Sequence, residues 1–305
     1  MSDECREISM ILIATGLREE SAAAVRLGRW LAGKLGAKVE AAHIIEPLQP
    51  SVLAAAPELE QAHEEAARKK LRAFLEEHGI EGAIPVHVET GEVVSELIQM
   101  QHRTRADLVL VGRPEGRGAM GSTGAGMARK MPVSVLIVPA GFVGAVQRLG
   151  VATDLTDESE LGVRRALDLG RRLGLKEITL LHTYAAPVGY HTIATHEEVC
   201  ARIEKNCRER GEAMVKRLAE QAGPGAPRVR IALAEGPPTE ALVQLAEEEM
   251  LDLLVVSTHG RTGALSMFMG RTTEKILGRA PCAVWAERSP KLLQTALDAL
   301  GELLH

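Results

Sequence analysis

The sequence predicts an α/β protein in which two copies of one fold follow each other, each built around a doubly wound parallel sheet. Short, bulky apolar segments alternate along the chain with longer amphipathic segments, as expected when strands and helices alternate in a parallel sheet. Landmark residues of the first half also recur in the second half. The length of 305 residues suits two domains of roughly 150 residues each.

The apolar segments and the residues that bound them define the predicted elements. In the first copy the predicted strands are residues 8–14, 39–45, 84–89, 108–111 and 133–138, and the predicted helices are 19–35, 58–78 and 93–103. In the second copy the predicted strands are residues 148–153, 177–182, 228–233, 253–256 and 283–286, with helices at 197–217 and 272–277. Ligands of such sheets bind at the carboxyl ends of the strands. We therefore expect the first, second and fourth strands of each copy to end around one crevice.

The internal repeat consists of matched residues at a slowly growing offset. Thr15 matches Thr153 at an offset of 138, and Asp107 matches Asp252 at an offset of 145. Because the order of landmarks persists while the offset grows, the two copies differ by insertions in their loops. The boundary is predicted near residues 142–147, which gives domains at 1–142 and 147–288 and a C-terminal tail at 289–305.

Composition excludes several classes of function. A net charge of −5 and 2% aromatic residues provide neither the basic face nor the stacking side chains of a nucleic-acid-binding protein. No apolar run approaches the ~20 residues that span a bilayer, and the first residues are polar rather than a secretory signal. We therefore expect a cytoplasmic protein with no membrane partner. The cysteines lack CxxC or zinc-ligand spacing and are interpreted as reduced thiols: Cys5, Cys200, Cys207 and Cys282.

The most informative stretch joins the fourth and fifth predicted strands of the second copy. A glycine-bearing loop runs from Ser257 to Gly270 and leads into a short predicted helix. The unpaired N–H groups and the dipole of a helix N-terminus attract anions, and Gly260 and Gly270 allow the backbone to approach a phosphate closely. The same glycines could instead only turn the chain and cap the helix.

This spacing resembles the nucleotide-binding motif of the universal stress protein family, which has a glycine, two residues, a glycine, nine residues, a glycine and then Ser or Thr. Gly260 and Gly270 are separated by nine residues, as in that motif. Ser257 replaces the first glycine, and Arg271 replaces the hydroxyl residue, with Thr272 one position later. The resemblance extends to the order of elements along nearly the whole chain. It implies a five-stranded parallel sheet in each domain, in strand order 3-2-1-4-5 with helices on both faces.

The resemblance also implies a set of nucleotide-binding residues in the second copy: Ala152, Thr153, Asp154, Thr183, Val256, Ser257, Gly260, Gly270, Arg271 and Thr272. Asp154 would contact the adenosine end, where a carboxylate can accept bonds from ribose hydroxyls. The backbone of Thr183 would meet the adenine, and the last four residues would meet the phosphates. Asp154 could instead cap the following turn or helix. We interpret His182 as a packed or backbone-bonded histidine rather than a ligand.

The first copy departs from this pattern. Gly16 stands where the second copy has Asp154, and only four residues separate Gly116 from Gly121 in its loop. Glu115 in that loop would repel a phosphate. We therefore expect the second copy, and not the first, to bind a nucleotide. Three arginines of the first copy could still attract a smaller anion: Arg113, Arg117 and Arg129.

Two functions are consistent with these observations. The first is a cytoplasmic stress-response or signalling protein that binds ATP, or ADP or AMP, with Mg²⁺ or Mn²⁺ on the phosphates. The alternative is an interaction or assembly module of the same family with both sites empty. An enzyme ranks third, because there is no GxxxxGK[ST] loop and no nucleophile beside a base; any ATP hydrolysis is expected to be slow. A homodimer could form through the last strands or through the tail, where residues 293, 296, 297, 300, 303 and 304 trace one helical stripe.

Overall fold

The computed structural model describes residues 5–56, 58–80, 82, 84–114, 121–192, 195–258 and 270–289. They belong to two compact units. The first domain comprises residues 7–145, and the second comprises residues 5 and 6 with the described residues from 146 onwards.

In the first domain, strands and helices alternate. In chain order they are β1 (Met10–Ala14), α1 (Glu19–Leu35), β2 (Lys38–Ile45), α2 (Pro50–Ala55), α3 (Glu58–Glu77), β3 (Val86–Thr90), α4 (Val93–Thr104), β4 (Leu108–Arg113), α5 (Gly121–Lys130) and β5 (Ser134–Pro139). The five strands are parallel and lie in the order β3-β2-β1-β4-β5.

The second domain repeats this arrangement. Its elements are β6 (Leu149–Ala152), α6 (Glu160–Leu173), β7 (Glu177–Tyr184), α7 (His196–Ala222), β8 (Arg228–Glu235), α8 (Pro238–Glu248), β9 (Leu253–Ser257), α9 (Arg271–Arg279) and β10 (Ala283–Glu287). The strand order is β8-β7-β6-β9-β10, again all parallel. Both domains therefore have the order 3-2-1-4-5, and the predicted fold class is confirmed.

The central strands are buried on both faces of each sheet. Ile11, Leu12 and Ile13 of β1 are all fully buried, although successive side chains of a strand point to opposite faces. Residues of β9 show the same pattern: Leu253 is fully buried and Val256 is 3% exposed. Helices therefore cover both sides of each sheet, which explains why these strands read as continuous apolar runs.

Equivalent aspartates hold the beginnings of the central strands together. The Oδ2 atom of Asp107 accepts hydrogen bonds from the backbone N–H groups of Ser9 and Met10, at 2.9 and 3.0 Å. In the second domain, Oδ2 of Asp252 accepts from the N–H groups of Gln147 and Arg148, both at 2.8 Å. This repeated clamp explains why the Asp-Leu pair recurs in the two halves of the sequence.

Several element boundaries differ from those predicted. Strand β7 continues to Tyr184 instead of ending at residue 182, so Thr183 lies inside a strand. Strand β3 begins at Val86 rather than at residue 84, and the short helix α2 was not predicted. Residues 290–305, and with them most of the predicted tail helix, lie outside the described residues, and the homodimer stays a prediction. Among the described helices, none is both long and apolar enough to cross a membrane.

Candidate functional site

Each crevice begins at a turn held by a threonine at the end of the first strand. The Oγ1 atom of Thr153 accepts a hydrogen bond from the N–H of Leu155 at 2.9 Å, and Thr15 accepts from Leu17 at 3.0 Å. Leu155 and Leu17 both have positive φ angles, 60° and 56°, a conformation that non-glycine residues seldom adopt. The same strained turn therefore follows the first strand in both domains.

Ser159 supports this turn in the second domain, and its position in the repeat could have revealed it. Its hydroxyl lies 2.6 Å from Oγ1 of Thr153. In the first domain the equivalent Ser21 accepts from the backbone N–H of Gly16 at 3.1 Å. Both serines are buried, and they hold the start of the following helix against the turn.

Asp154 lies in this turn, half-buried at the carboxyl end of β6. Its Oδ1 atom accepts from the backbone N–H of Thr156 at 3.2 Å and from the hydroxyl of Thr156 at 2.5 Å. The turn-capping interpretation of Asp154 is thus present in the structure. The same position also places a carboxylate at the edge where ligands of parallel sheets bind, so the two roles are compatible.

The backbone of Thr183 faces the space beyond the end of β6. The carbonyl of Leu181 accepts from the N–H of Thr153 at 3.0 Å, so Leu181 directs its backbone groups toward β6. Alternate residues of a strand direct their backbone groups to the same side, and Thr183 therefore faces that side too, where β6 has already ended. The carbonyl of Tyr184 accepts from Gly236 at 2.9 Å on the opposite, β8 side, which agrees with this alternation.

A histidine connects the first two strands in each domain. Nδ1 of His182 lies 2.9 Å from the carbonyl oxygen of Thr153, and Nδ1 of His43 lies 2.8 Å from that of Thr15. Because a carbonyl only accepts hydrogen bonds, Nδ1 carries the hydrogen in both rings. The interpretation of His182 as a backbone-bonded histidine is confirmed, and its ring holds the ends of β6 and β7 in register.

Ser257 and Gly112 occupy equivalent positions but pack differently. A Cβ atom on Gly112 would lie 1.9 Å from the carbonyl oxygen of Glu20, so α1 approaches β4 too closely for any side chain. In the second domain, Oγ of Ser257 accepts from the N–H of Gly162 at 3.0 Å and donates to the carbonyl of Ser159 at 3.2 Å. The hydroxyl of Ser257 therefore ties β9 to α6, a role that the motif does not predict.

The N-terminus of α9 is anchored at the carboxyl end of β9. The N–H of Gly270 donates to the carbonyl of Thr258 at 3.3 Å, and the hydroxyl of Thr273 donates to the carbonyl of Ser257 at 3.1 Å. The first turn of α9, with its unpaired N–H groups, thus begins beside the strand end. Sequence reasoning missed Thr273, whose hydroxyl makes this anchor.

The predicted phosphate contacts are partly described. Gly270 immediately precedes α9, Arg271 is exposed at its first position, and Thr272 is half-buried at its second. Gly260 and the rest of the loop at 259–269 lie outside the described residues. What the structure brings to this edge is therefore a helix N-terminus with a cation and a hydroxyl, a combination suited to an anion.

The first domain contains a cavity of about 950 Å³ at its carboxyl edge. Its walls come from the ends of β1, β2 and β4 and from the start of α5, and the lining residues include Thr15, Gly16, His43, Ile44, Glu46 and Thr123. Ile44 is the counterpart of Thr183. The volume lies within the roughly 300–1,000 Å³ of small-molecule sites. This cavity lies in the copy for which no nucleotide is predicted.

Together these features define a class: tandem α/β proteins whose two doubly wound sheets share the same turn and strand-end contacts at their carboxyl edges. The model of the universal stress protein family matches residues 8–139 and 145–288, and the chain belongs to this family. The tandem arrangement read from the repeat is thereby confirmed.

Individual relatives agree with this assignment. A universal stress protein of Thermus aquaticus is 33% identical over 108 residues, covering 35% of this chain and 74% of the relative. Universal stress protein MJ0531 of Methanocaldococcus jannaschii is 23% identical over 146 residues, covering 48% of this chain and 84% of the relative. Among solved structures, a universal stress protein from Archaeoglobus fulgidus has a TM-score of 0.67 at 18% identity and covers 92% of this chain and 98% of its own. At that identity the last similarity shows the fold alone.

Proposed function

We propose that this protein is a cytoplasmic stress-response protein that binds an adenine nucleotide at the carboxyl edge of its second domain. ATP is the favoured nucleotide. The site comprises Ala152, Thr153, Asp154, Thr183, Val256, Ser257, Gly260, Gly270, Arg271 and Thr272. Its role is to bind rather than to catalyse, and any hydrolysis is slow. Binding shifts a conformational equilibrium of this protein, and a partner protein or dimerisation responds to that shift.

One observation carries this proposal: backbone groups of β7 project past the end of β6 beside a carboxylate. Adenine presents a donor at N6 and acceptors at its ring nitrogens, which match the C=O and N–H of Thr183. Asp154 follows Thr153, whose N–H is bonded to Leu181, so Asp154 and Thr183 lie at the same edge of the sheet. Ribose hydroxyls are donors that suit this carboxylate. These groups supply hydrogen-bond partners that the adenosine end of a nucleotide requires, which supports the proposal.

The start of α9 suits the phosphate end. Unpaired N–H groups at a helix N-terminus attract phosphate, and the exposed Arg271 adds a guanidinium that can form paired bonds to phosphate oxygens. When bound, Mg²⁺ or Mn²⁺ would neutralise charge between the phosphates. The protein groups position the nucleotide and hold its charge.

The decisive experiment measures nucleotide binding by calorimetry with wild-type protein, Asp154→Ala and Thr156→Val. Asp154→Ala removes both the carboxylate and the turn bond, whereas Thr156→Val removes the hydroxyl that donates to Asp154 and keeps the carboxylate. We expect the first variant to weaken ATP binding by roughly 10-fold to 100-fold, as for loss of a hydrogen bond to a charged group, and the second to change it little. Equal weakening in both would assign Asp154 to the turn alone.

A second candidate is that the ligand binds in the first domain, which the cavity of about 950 Å³ favours. Gly16 lines this cavity, and a Cβ added there would meet nothing nearer than the Ser21 hydroxyl at 3.9 Å, so we expect Gly16→Phe to occupy part of the cavity. Loss of binding in Gly16→Phe, with retention in Asp154→Ala, would move the site to the first domain. Retention of about half of the wild-type nucleotide in each single variant, measured by mass spectrometry after denaturation, would indicate two sites.

Failure of wild-type protein to bind any adenine nucleotide would favour the alternative, an interaction module of the same family. Mass spectrometry of the denatured protein should then detect no nucleotide. Concentration-dependent assembly, measured by analytical ultracentrifugation, would be the property to pursue in that case.

A further inference from the structure

Three side chains with metal-binding atoms meet at the start of α7 and the end of β8, outside the residues assigned to the nucleotide. They are His196, Cys200 and Glu235, and their ligand atoms all lie within 4.8 Å of one another. Cys200 is buried, whereas His196 and Glu235 are exposed to solvent. Neither the fold of the sheet nor the proposed nucleotide site requires this combination of imidazole, thiol and carboxylate.

Local structure explains why these groups converge. His196 and Cys200 are four residues apart in α7, so they lie on the same face of the helix. The N-terminus of α7 is held by a capping box, in which Thr195 and Glu198 exchange side-chain and backbone hydrogen bonds. Glu235 is the last residue of β8. The cluster therefore stands on two regular elements rather than on a loop.

The interatomic distances already approximate one face of a tetrahedral metal site. Nε2 of His196 lies 3.5 Å from Sγ of Cys200 and 3.1 Å from Oε1 of Glu235. Zinc bonds of about 2.0–2.3 Å at tetrahedral angles place neighbouring ligand atoms about 3.3–3.8 Å apart. Small side-chain adjustments would thus bring all three atoms to bonding distance of one ion.

We propose that His196, Cys200 and Glu235 bind one divalent transition-metal ion of the zinc class, with water as the fourth ligand. A nitrogen, a sulfur and an oxygen ligand together suit Zn²⁺, whereas Mg²⁺ and Ca²⁺ require oxygen ligands. Three protein ligands leave one tetrahedral position open. The ion can enter from solvent, because the side chains of His196 and Glu235 are 48% and 38% exposed.

The competing explanation is an ordinary surface ion pair between His196 and Glu235 beside a packed thiol. That pair accounts for two of the residues but not for the sulfur that faces the same imidazole nitrogen. The first domain cannot form this combination of ligands, because Thr90 is the counterpart of Glu235 and the sequence has no cysteine between residues 7 and 145. The site is therefore a property that the second copy has alone.

Cobalt substitution tests this proposal directly. Protein stripped of metal and nucleotide is titrated with Co²⁺, whose thiolate bond gives a near-ultraviolet charge-transfer band, and then with Zn²⁺, which should abolish that band. We expect one Co²⁺ per chain, with the intense visible absorption of four-coordinate cobalt. Absence of the thiolate band in wild-type protein would overturn the proposal, whatever the variants do.

Matched variants then identify the ligands. Cys200→Ser should remove the charge-transfer band. It should also weaken Zn²⁺ binding by more than 100-fold, because loss of a residue that only hydrogen-bonds a metal ligand already costs about 10-fold to 100-fold. Cys207→Ser removes the thiol seven residues further along α7 and should leave both properties unchanged. Glu235→Gln should weaken binding but keep the band. Persistence of the band in Cys200→Ser, or its loss in Cys207→Ser, would contradict the assignment.

Discussion

The two domains share one topology and differ in the residues at equivalent positions of their cores and carboxyl edges. The first domain has an open cavity of about 950 Å³ but has Gly16 where the second domain has Asp154. The second domain carries the carboxylate, and its core also contains a buried ion pair, Arg165 with Glu287, where the first has Leu27 and Val138. The two copies thus share the sheet, whereas this carboxylate and this buried ion pair occur in the second copy.

The buried pair shows how different the two cores are. Arg165 and Glu287 are 1% and 2% exposed, and two guanidinium nitrogens donate to the two carboxylate oxygens at 3.0 Å each. Burial alone lowers the pKa of Arg165, but the Glu287 carboxylate more than offsets this, and the pKa is raised. The indole N–H of Trp285 also donates to Glu287, at 2.6 Å. The equivalent apolar residues of the first domain require none of these contacts.

The largest expected effect comes from breaking this pair. Glu287→Val should destabilise the second domain by about 3–5 kcal/mol, because the buried Arg165 guanidinium loses the carboxylate that accepts two of its hydrogen bonds. Asp168, 3.8 Å from the guanidinium, does not replace those two bonds. The double variant Arg165→Leu/Glu287→Val installs the first-domain residues and should regain most of that loss. Urea unfolding measures both changes, and Trp285 reports on the second domain once Trp30 of the first is replaced by Phe.

The double variant distinguishes a requirement for charge from a requirement for volume. Recovery should be incomplete, since the indole N–H of Trp285 loses its acceptor and a buried unsatisfied donor costs about 1–3 kcal/mol. If Glu287→Val alone proves neutral, the pair is not buried as described, and the comparison between the two cores fails.

The next largest effect concerns the equivalent positions at the ends of β4 and β9. Gly112→Ser should destabilise the first domain by about 3 kcal/mol, the cost of overpacking. The added Cβ atom would lie 1.9 Å from the carbonyl oxygen of Glu20 and would overlap it. Ser257→Gly should cost the second domain only about 1–2 kcal/mol, through the lost bonds to Gly162 and Ser159. Urea unfolding of each variant measures this asymmetry. Similar costs at both positions would show that the helix approaches the sheet equally in both domains.

The apolar runs and the repeat predicted most element boundaries, because these patterns are local and strong, whereas the strand order was implied by the resemblance to the family. It did not predict that β7 continues to Tyr184, since strand ends depend on pairing with β8 rather than on residues 183–184 themselves. The sequence indicated only a reduced thiol at Cys200, because it is the fold that brings Glu235 to His196 and Cys200. The hydroxyl bonds of Ser257 and Thr273 likewise depend on helices that are distant in sequence.

A smaller effect should follow from transferring the carboxylate to the first domain. A Cβ atom added at Gly16 would not clash, because its nearest neighbour, the hydroxyl oxygen of Ser21, would be 3.9 Å away. In an Asp154→Ala background, Gly16→Asp should raise ATP affinity by about tenfold, the value of one modest hydrogen bond to a charged group. Calorimetry measures the change, and Gly16→Asn controls for size without charge. An unchanged affinity would mean that the first domain lacks more than a carboxylate.

The smallest expected effect is a difference between the two domains in how stability depends on pH. Arg217 of α7 donates to Glu160 of α6 at 3.0 Å, and this bond lowers the pKa of Glu160 from its ordinary 4.5. The first domain has Ala22 at this position.

A carboxyl group whose pKa is lower in the folded state than in the unfolded state contributes stability that is complete above the unfolded pKa and is lost as the pH falls through the folded pKa. Below about pH 4.5 the second domain should therefore lose stability in wild-type protein faster than in Glu160→Gln, by a small margin because Arg217 is half exposed. Urea midpoints across this range measure the difference, with the exposed neighbour Glu158→Gln as control, and parallel profiles in all three proteins would show that the pair contributes nothing.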